Sequence, residues 1–300
     1  MKNVQVLMST YNGEKYLKEQ IDSILSQENV EVSLLIRDDG STDKTISILE
    51  KIVKENTNVS YYIGKNIGAA KSFIDLVNQS KEVDYYAFAD QDDVWNSKKI
   101  ISAIEKIEND TNIPSLYISA LEVVDEELNT IEIKKVSGNL CFEGEMAKNF
   151  ATGCTMVFNK KLCNAIKTYN PSYIIMHDSW ITRVCYAIGG NVVVDENTYI
   201  KYRQHGNNVV GYKDEGFRKL KKQLKIAFID KISMRVNIAK ELKSGYEELL
   251  TDNTKELVNN LINYQTNWKA KKWLLENKKF RTNIPRIDRK IKIGIILNRF

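Results

Sequence analysis

Short apolar runs alternate along the front of the chain with stretches in which apolar residues return every three or four positions. The runs are Val4–Met8, Val32–Ile36, Val59–Ile63 and Tyr85–Ala89, each the length of a buried strand. Between them Leu17, Ile21, Ile24 and Leu25 mark one helix face. Ile46, Leu49, Ile52 and Val53 mark a second, Phe73, Leu76 and Val77 a third, and Ile100, Ile101, Ile104 and Ile107 a fourth. Strand and helix in strict alternation predict βαβ units, hence an open, mostly parallel α/β sheet with helices on both faces. After Pro114 the rhythm becomes α+β. Ser115–Val123, Thr152–Phe158 and Asn191–Val194 are predicted strands, and 160–168 and 178–188 predicted helices. Beyond Gly211 the chain is helical and lysine-rich, with Phe217, Leu220, Leu224, Phe228 and Ile232 on one helix face.

Composition adds little to this picture and charge adds more. With 300 residues, 43% hydrophobic and 28% charged, the chain can bury a core that needs no disulfide. Cys141, Cys154, Cys163 and Cys185 lack zinc-site spacing and read as buried thiols in a reducing compartment. No run approaches 18 apolar residues, and the opening MKNVQVLMS reads as a strand instead of a signal peptide, so a cytoplasmic location is expected. From Gly211 to Phe300, 22 Lys and Arg face 10 Asp and Glu, a net +12. The preceding residues carry 22 against 29, a net −7.

Polar residues gather where the apolar runs end. Ser9-Thr10-Tyr11-Asn12-Gly13 follows the first run, Asp38-Asp39-Gly40-Ser41 the second, and Asp90-Gln91-Asp92-Asp93 the fourth. In open α/β sheets ligands sit outside the carboxyl ends of the strands, so these segments converge on one crevice. In extended backbone Asp90 and Asp92 face the same way and suit a hard divalent cation that neutralises a diphosphate. The alternative is that Asp93 or Ser97 caps the following helix. Asp39 suits a hydrogen bond from a base N–H while Tyr11 stacks on the ring. Turn chemistry, with Thr42 or Asp43 as a helix cap, is the competing reading.

The ordered series STYNG, RDDGSTD, NIGAAKSF and FADQDDVW resembles the inverting family 2 glycosyltransferases with the GT-A fold. The later ATGCTMVFNKKL, HDSW and YRQHGNN resemble its rhamnosyltransferase-type members, which serve bacterial surface polysaccharide assembly. The resemblance spans about residues 3–210. It implies a GT-A catalytic domain over 1–210, with a nucleotide-binding half (1–113) and an acceptor-binding half (114–210), followed by a basic helical region (211–300).

By the same resemblance, Thr10, Tyr11 and Asp39 hold the base and ribose, with Asn12 and Asp38 beside them. Asp90 and Asp92 bind Mn²⁺ or Mg²⁺, and Asp178 is the catalytic base, against the alternative of a helix N-cap. Arg203 suits an oxyanion and His205 a nitrogen ligand to the metal. Lys71 is expected on the diphosphate, Gly153 at a close backbone approach to ligand within a strand, and His177, Trp95 and Trp180 on the acceptor side.

The implied donor is a dTDP- or UDP-sugar, first of all dTDP-rhamnose, and the acceptor a saccharide or a lipid-linked one. A UDP-hexose donor and a non-catalytic nucleotide-sugar binder are the alternatives. A D-x-D-x-T phosphatase is excluded because Val94 stands where the threonine belongs. In the tail, Ile284, Ile287, Ile291 and Ile295 among Arg286, Arg289, Lys290 and Lys292 suit an anionic membrane face, with Trp268 and Trp273 as interfacial anchors or dimer contacts. Nucleic acid is not expected, because the acidic crevice repels phosphate unless a metal intervenes.

Overall fold

The computed structural model describes residues 1–109, 112–206 and 234–300; the helix expected through Phe217–Ile232 lies outside them. One sheet organises the described residues. Its strands are β1 (Lys2–Thr10), β2 (Val30–Asp38), β3 (Val59–Ile63), β4 (Tyr85–Ala89), β5 (Val94–Trp95), β6 (Ser115–Val124), β7 (Thr130–Lys134), β8 (Val157–Asn159) and β9 (Asn191–Arg203). They lie in the order β3-β2-β1-β4-β8-β6-β9-β5, with β7 added to β6. β3, β2, β1 and β4 run parallel, as the alternating pattern requires. β8 is antiparallel to both β4 and β6, and that reversal starts the second half.

The helices are α1 (Leu17–Leu25), α2 (Thr45–Glu55), α3 (Ala69–Gln79), α4 (Lys99–Ile107), α5 (Phe142–Ala147), α6 (Lys160–Lys167), α7 (His177–Ala187), α8 (Met234–Tyr246), α9 (Asp252–Asn263), α10 (Trp268–Glu276) and α11 (Pro285–Ile296). They cover both faces because β1 alternates. Val4, Val6 and Met8 pack with Leu17, Ile21, Leu49, Ile100 and Ile104 on one side. Leu7 packs with Phe73, Leu76, Trp180 and Val184 on the other. Each fully buried side chain of this size contributes roughly 1.5–3 kcal/mol, so both layers are needed.

Two sequence expectations change here. The strand expected over Thr152–Phe158 is a 3₁₀ turn (Gly153–Thr155) followed by the three-residue β8. The isoleucine stripe of the tail turns inward: Ile291 and Ile295 are buried in the core shared with Leu257, Leu261 and Phe300, with Ile287 packed against it. It is therefore not a membrane face. No helix among the described residues is long and apolar enough to cross a membrane.

Candidate active site

The three strand ends do meet. Asp39 N–H donates to the Thr10 carbonyl at 2.8 Å, tying the end of β2 to that of β1. Thr10 Oγ1 in turn donates to Gln91 Oε1 at 2.5 Å, tying β1 to the acidic turn after β4. Tyr11 projects from this junction with 47% of its surface exposed, a ring open to stacking. Asn12, at φ +49, accepts from Thr42 N–H through Oδ1 at 2.8 Å.

The two neighbouring aspartates do different things. Asp38 is consumed by its turn, accepting from Gly40 N–H, Ser41 N–H and Ser41 Oγ. Asp39 Oδ1 accepts from Arg37 at 2.5 Å and from Ile67 N–H at 2.9 Å. Asp39 Oδ2 accepts from Gly68 N–H at 2.9 Å. One lone pair of Oδ2 therefore remains for a base N–H. Asp43 bonds Thr45 N–H and Oγ1 at the start of α2, but the N-cap is Lys44, not Thr42 or Asp43. Arg37 was missed from sequence; its guanidinium also holds Asp75, Ser72 and the Lys65 carbonyl. A charged residue inside the apolar run VSLLIRD is the sign that pointed to it.

The acidic turn is bent, not extended, so its carboxylates separate. Asp93 goes inward beside Asp90 and Cys154, their ligand atoms within 4.8 Å of one another, and accepts from Arg203 N–H. Asp93 does not cap α4, whose N-cap is Lys98. Asp92 goes to the rim, where its Oδ2 lies 2.7 Å from His205 Nε2. Burial, then Asp92 and Asp178, push Asp90 up to about 7, and burial pushes Asp93 up as well. Lys99, a buried cation nearby, sits 3.5 Å over the Trp95 ring, and burial lowers it to about 7. The acids whose ligand atoms converge are thus Asp90 and Asp93, with Cys154, while Asp92 is paired with His205 at the rim; crowded carboxyls with a thiol and an imidazole nearby have the chemistry to take a divalent ion.

Asp178 lies in the first turn of α7, only 6% exposed. Met176, not Asp178, is the N-cap. Its Oδ1 accepts from Ser179 N–H at 2.5 Å and from Asn149 Nδ2 at 3.4 Å. Burial nevertheless raises it to about 6, where a carboxylate is both ionised at neutral pH and basic enough to take a proton. Behind it Glu145, which burial pushes up to about 8, accepts from Ser179 Oγ at 3.2 Å and faces Arg183 at 3.5 Å. Nothing local in the sequence marks Asn149, Glu145 or Arg183.

Several expected contacts are corrected. Arg203 is buried and its guanidinium is wrapped by Glu19, the carbonyls of Asp92 and Glu126, and the Tyr16 ring. It braces the acidic turn instead of facing an oxyanion. His177 is buried, stacked on Phe73 at 3.9 Å, and held neutral by burial, which lowers it to about 3. Gly153 makes room for that ring, not for a ligand: a Cβ there would sit 2.4 Å from His177 Nε2. Trp95 and Trp180 are likewise core residues, Trp180 lying beside Tyr169 and Tyr246. An acceptor cannot reach these rings. Lys71 is exposed in the first turn of α3.

The profile of glycosyl transferase family 2 matches residues 5–166. The chain belongs to that family. It is 31% identical over 216 residues to the dTDP-rhamnosyl transferase RfbG of Shigella flexneri, covering 68% of this chain and 73% of that protein. It is 26% identical over 258 residues to an uncharacterised glycosyltransferase of Haemophilus influenzae, covering 78% and 77%. Among solved structures, TarS 1–349 of S. aureus in complex with UDP superposes with a TM-score of 0.63 at 18% identity, over 100% of this chain and 87% of that one. Its complex with UDP-GlcNAc gives 0.62 at 17%, over 100% and 82%. The fold is thus GT-A with added C-terminal helices, and the protein is a glycosyltransferase.

Proposed function

We propose that this transferase moves a sugar from a nucleoside diphosphate donor to a saccharide or lipid-linked acceptor by a single inverting displacement. The observation that carries it is Asp178, a buried carboxyl raised to about 6 within electrostatic reach of Asp90. Tyr11 stacks on the base and Asp39 Oδ2 accepts its N–H. Asp178 takes the acceptor hydroxyl's proton as that oxygen bonds to the anomeric carbon. When bound at Asp90, Asp92 and His205, Mn²⁺ or Mg²⁺ supplies positive charge for the departing diphosphate. The similarity to RfbG favours dTDP-rhamnose, with a UDP-hexose as the second donor. Thermal-shift screening of dTDP- and UDP-sugars with and without Mn²⁺ tests this. Stabilisation by dTDP-rhamnose is expected, and no response to any nucleotide sugar overturns it.

For location we place a contact with the anionic cytoplasmic membrane surface on the outer side of α10 and α11. Trp268, Ile293, Ile296 and Leu297 are all exposed there. Lys271 Nζ bonds the Ile296 carbonyl at 3.3 Å, which sets the start of α10 beside the end of α11. From Gln265 onward 11 Lys and Arg face two acidic residues, a charge suited to anionic lipid. Sedimentation with phosphatidylglycerol vesicles, lost in Ile296→Asp, is the expected result. A dimer that the same substitution dissociates would instead make this a face between copies.

A further inference from the structure

We infer that Gln91, the middle residue of the acidic turn, is a positioning residue that couples the base end of the donor site to its metal end. The inference rests on the donor reading above and adds to it how the two ends communicate. Gln91 Oε1 accepts from Tyr11 N–H at 2.8 Å and from Thr10 Oγ1 at 2.5 Å, while Gln91 Nε2 donates to the Tyr11 carbonyl at 3.1 Å. An N–H and a carbonyl of the same residue fix which end of the amide is which. No other side chain type of this length supplies both an acceptor and a donor there.

The flanking residues make the link informative. On either side of Gln91, Asp90 and Asp92 carry the carboxylates of the proposed metal site, and the Asp90 carbonyl is itself held by Gln20 Nε2 at 3.0 Å. On the far side of the amide, the Thr10 carbonyl receives Asp39 N–H. Base stacker, base acceptor and metal carboxylates therefore hang on one glutamine. Space is made for it: a Cβ on Gly13 would lie 2.3 Å from Gln91 Oε1. Any shift of the turn when an ion draws Asp90 and Asp92 together is passed to Tyr11, because the amide is bonded to both atoms of its peptide units.

The test uses a nucleoside without phosphate, so that no atom of the ligand can touch the ion and every coupling must pass through protein. Thymidine and uridine are titrated by ligand-observed NMR with and without Mg²⁺ against the native chain, Gln91→Leu and Gly13→Ala. Coupling between two sites commonly amounts to about 5-fold or more. We expect Mg²⁺ to tighten nucleoside binding about 5-fold in the native protein and less than about 2-fold in both variants. Gln91→Glu, which keeps the two accepted bonds, restores part of the coupling. In turnover, Gln91→Leu raises the donor KM more than it lowers kcat. Nucleoside binding that Mg²⁺ strengthens equally in all proteins overturns the inference and leaves the donor site standing. A native chain that binds neither nucleoside overturns both.

Discussion

Replacing Asp178 by asparagine should make the protein more stable and nearly inactive. The carboxyl is raised from its ordinary 3.8 to about 6 by burial, so the folded state holds the proton more tightly than the unfolded chain does. Its contribution is therefore most favourable below about pH 4 and is lost as pH rises through 6. That rise corresponds to about 3 kcal/mol of cost at neutral pH, with the favourable 2.5 Å bond from Ser179 N–H already counted within it. Asparagine, which stands in for the protonated form, removes that cost. A gain of up to about 3 kcal/mol, or roughly 5–10 °C in Tm, is expected. Loss of a general base lowers kcat by about 10²–10⁴.

Melting in EDTA at pH 7.5 reads the first effect and steady-state turnover with acceptor the second. The native enzyme should lose activity tenfold per pH unit below about 6, and a divalent ion near Asp90 draws that limb lower, not higher. An asparagine variant that melts lower, or keeps more than about a tenth of the native kcat, refutes the assignment.

Asp92→Ala should remove the strengthening of dTDP or UDP binding by Mn²⁺; calorimetric titrations that respond to the metal as the native chain does would count against the rim site. Gly153→Ala should cost about 1–3 kcal/mol in urea unfolding, because the methyl must displace the His177 ring from the stack on Phe73; native stability would show that the ring moves freely. Arg37→Met leaves Asp39 buried without its partner and should cost about 3–5 kcal/mol, checked by the same unfolding assay. A shift under 1 kcal/mol would mean that water or the Ile67 and Gly68 amides suffice.

Burial decided what could be read from sequence. β3 and β4 fall on their predicted residues because both are apolar runs closed by polar turns. β7 escaped because TIEIK offers only two apolar positions, Ile131 and Ile133, too short an alternation to stand out, and both stay exposed instead of joining the core. β9, expected to stop at Val194, continues to Arg203 through half-buried polar residues. At the site, residue types foretold the meeting of three strand ends and the nearness of His205 to Asp92. They did not foretell direction. Arg203 has the chemistry of an anion binder, but Glu19, 184 positions away, captures it. Period-two alternation put Asp90 and Asp92 on one side, whereas the bend sends Asp93 inward with Asp90.

The helix bearing Asp178 does not stand alone. The Ala187 carbonyl at its end receives Thr251 N–H at 3.1 Å and Thr254 Oγ1 at 2.8 Å, and Arg235 grips the carbonyls of Met146 and Ala147 behind it. Anyone grafting the second half of this sheet onto the first half of a relative's must therefore carry residues 234–264 along with it. A chimera cut at position 210 would transplant Asp178, the proposed base, while leaving its buttress behind.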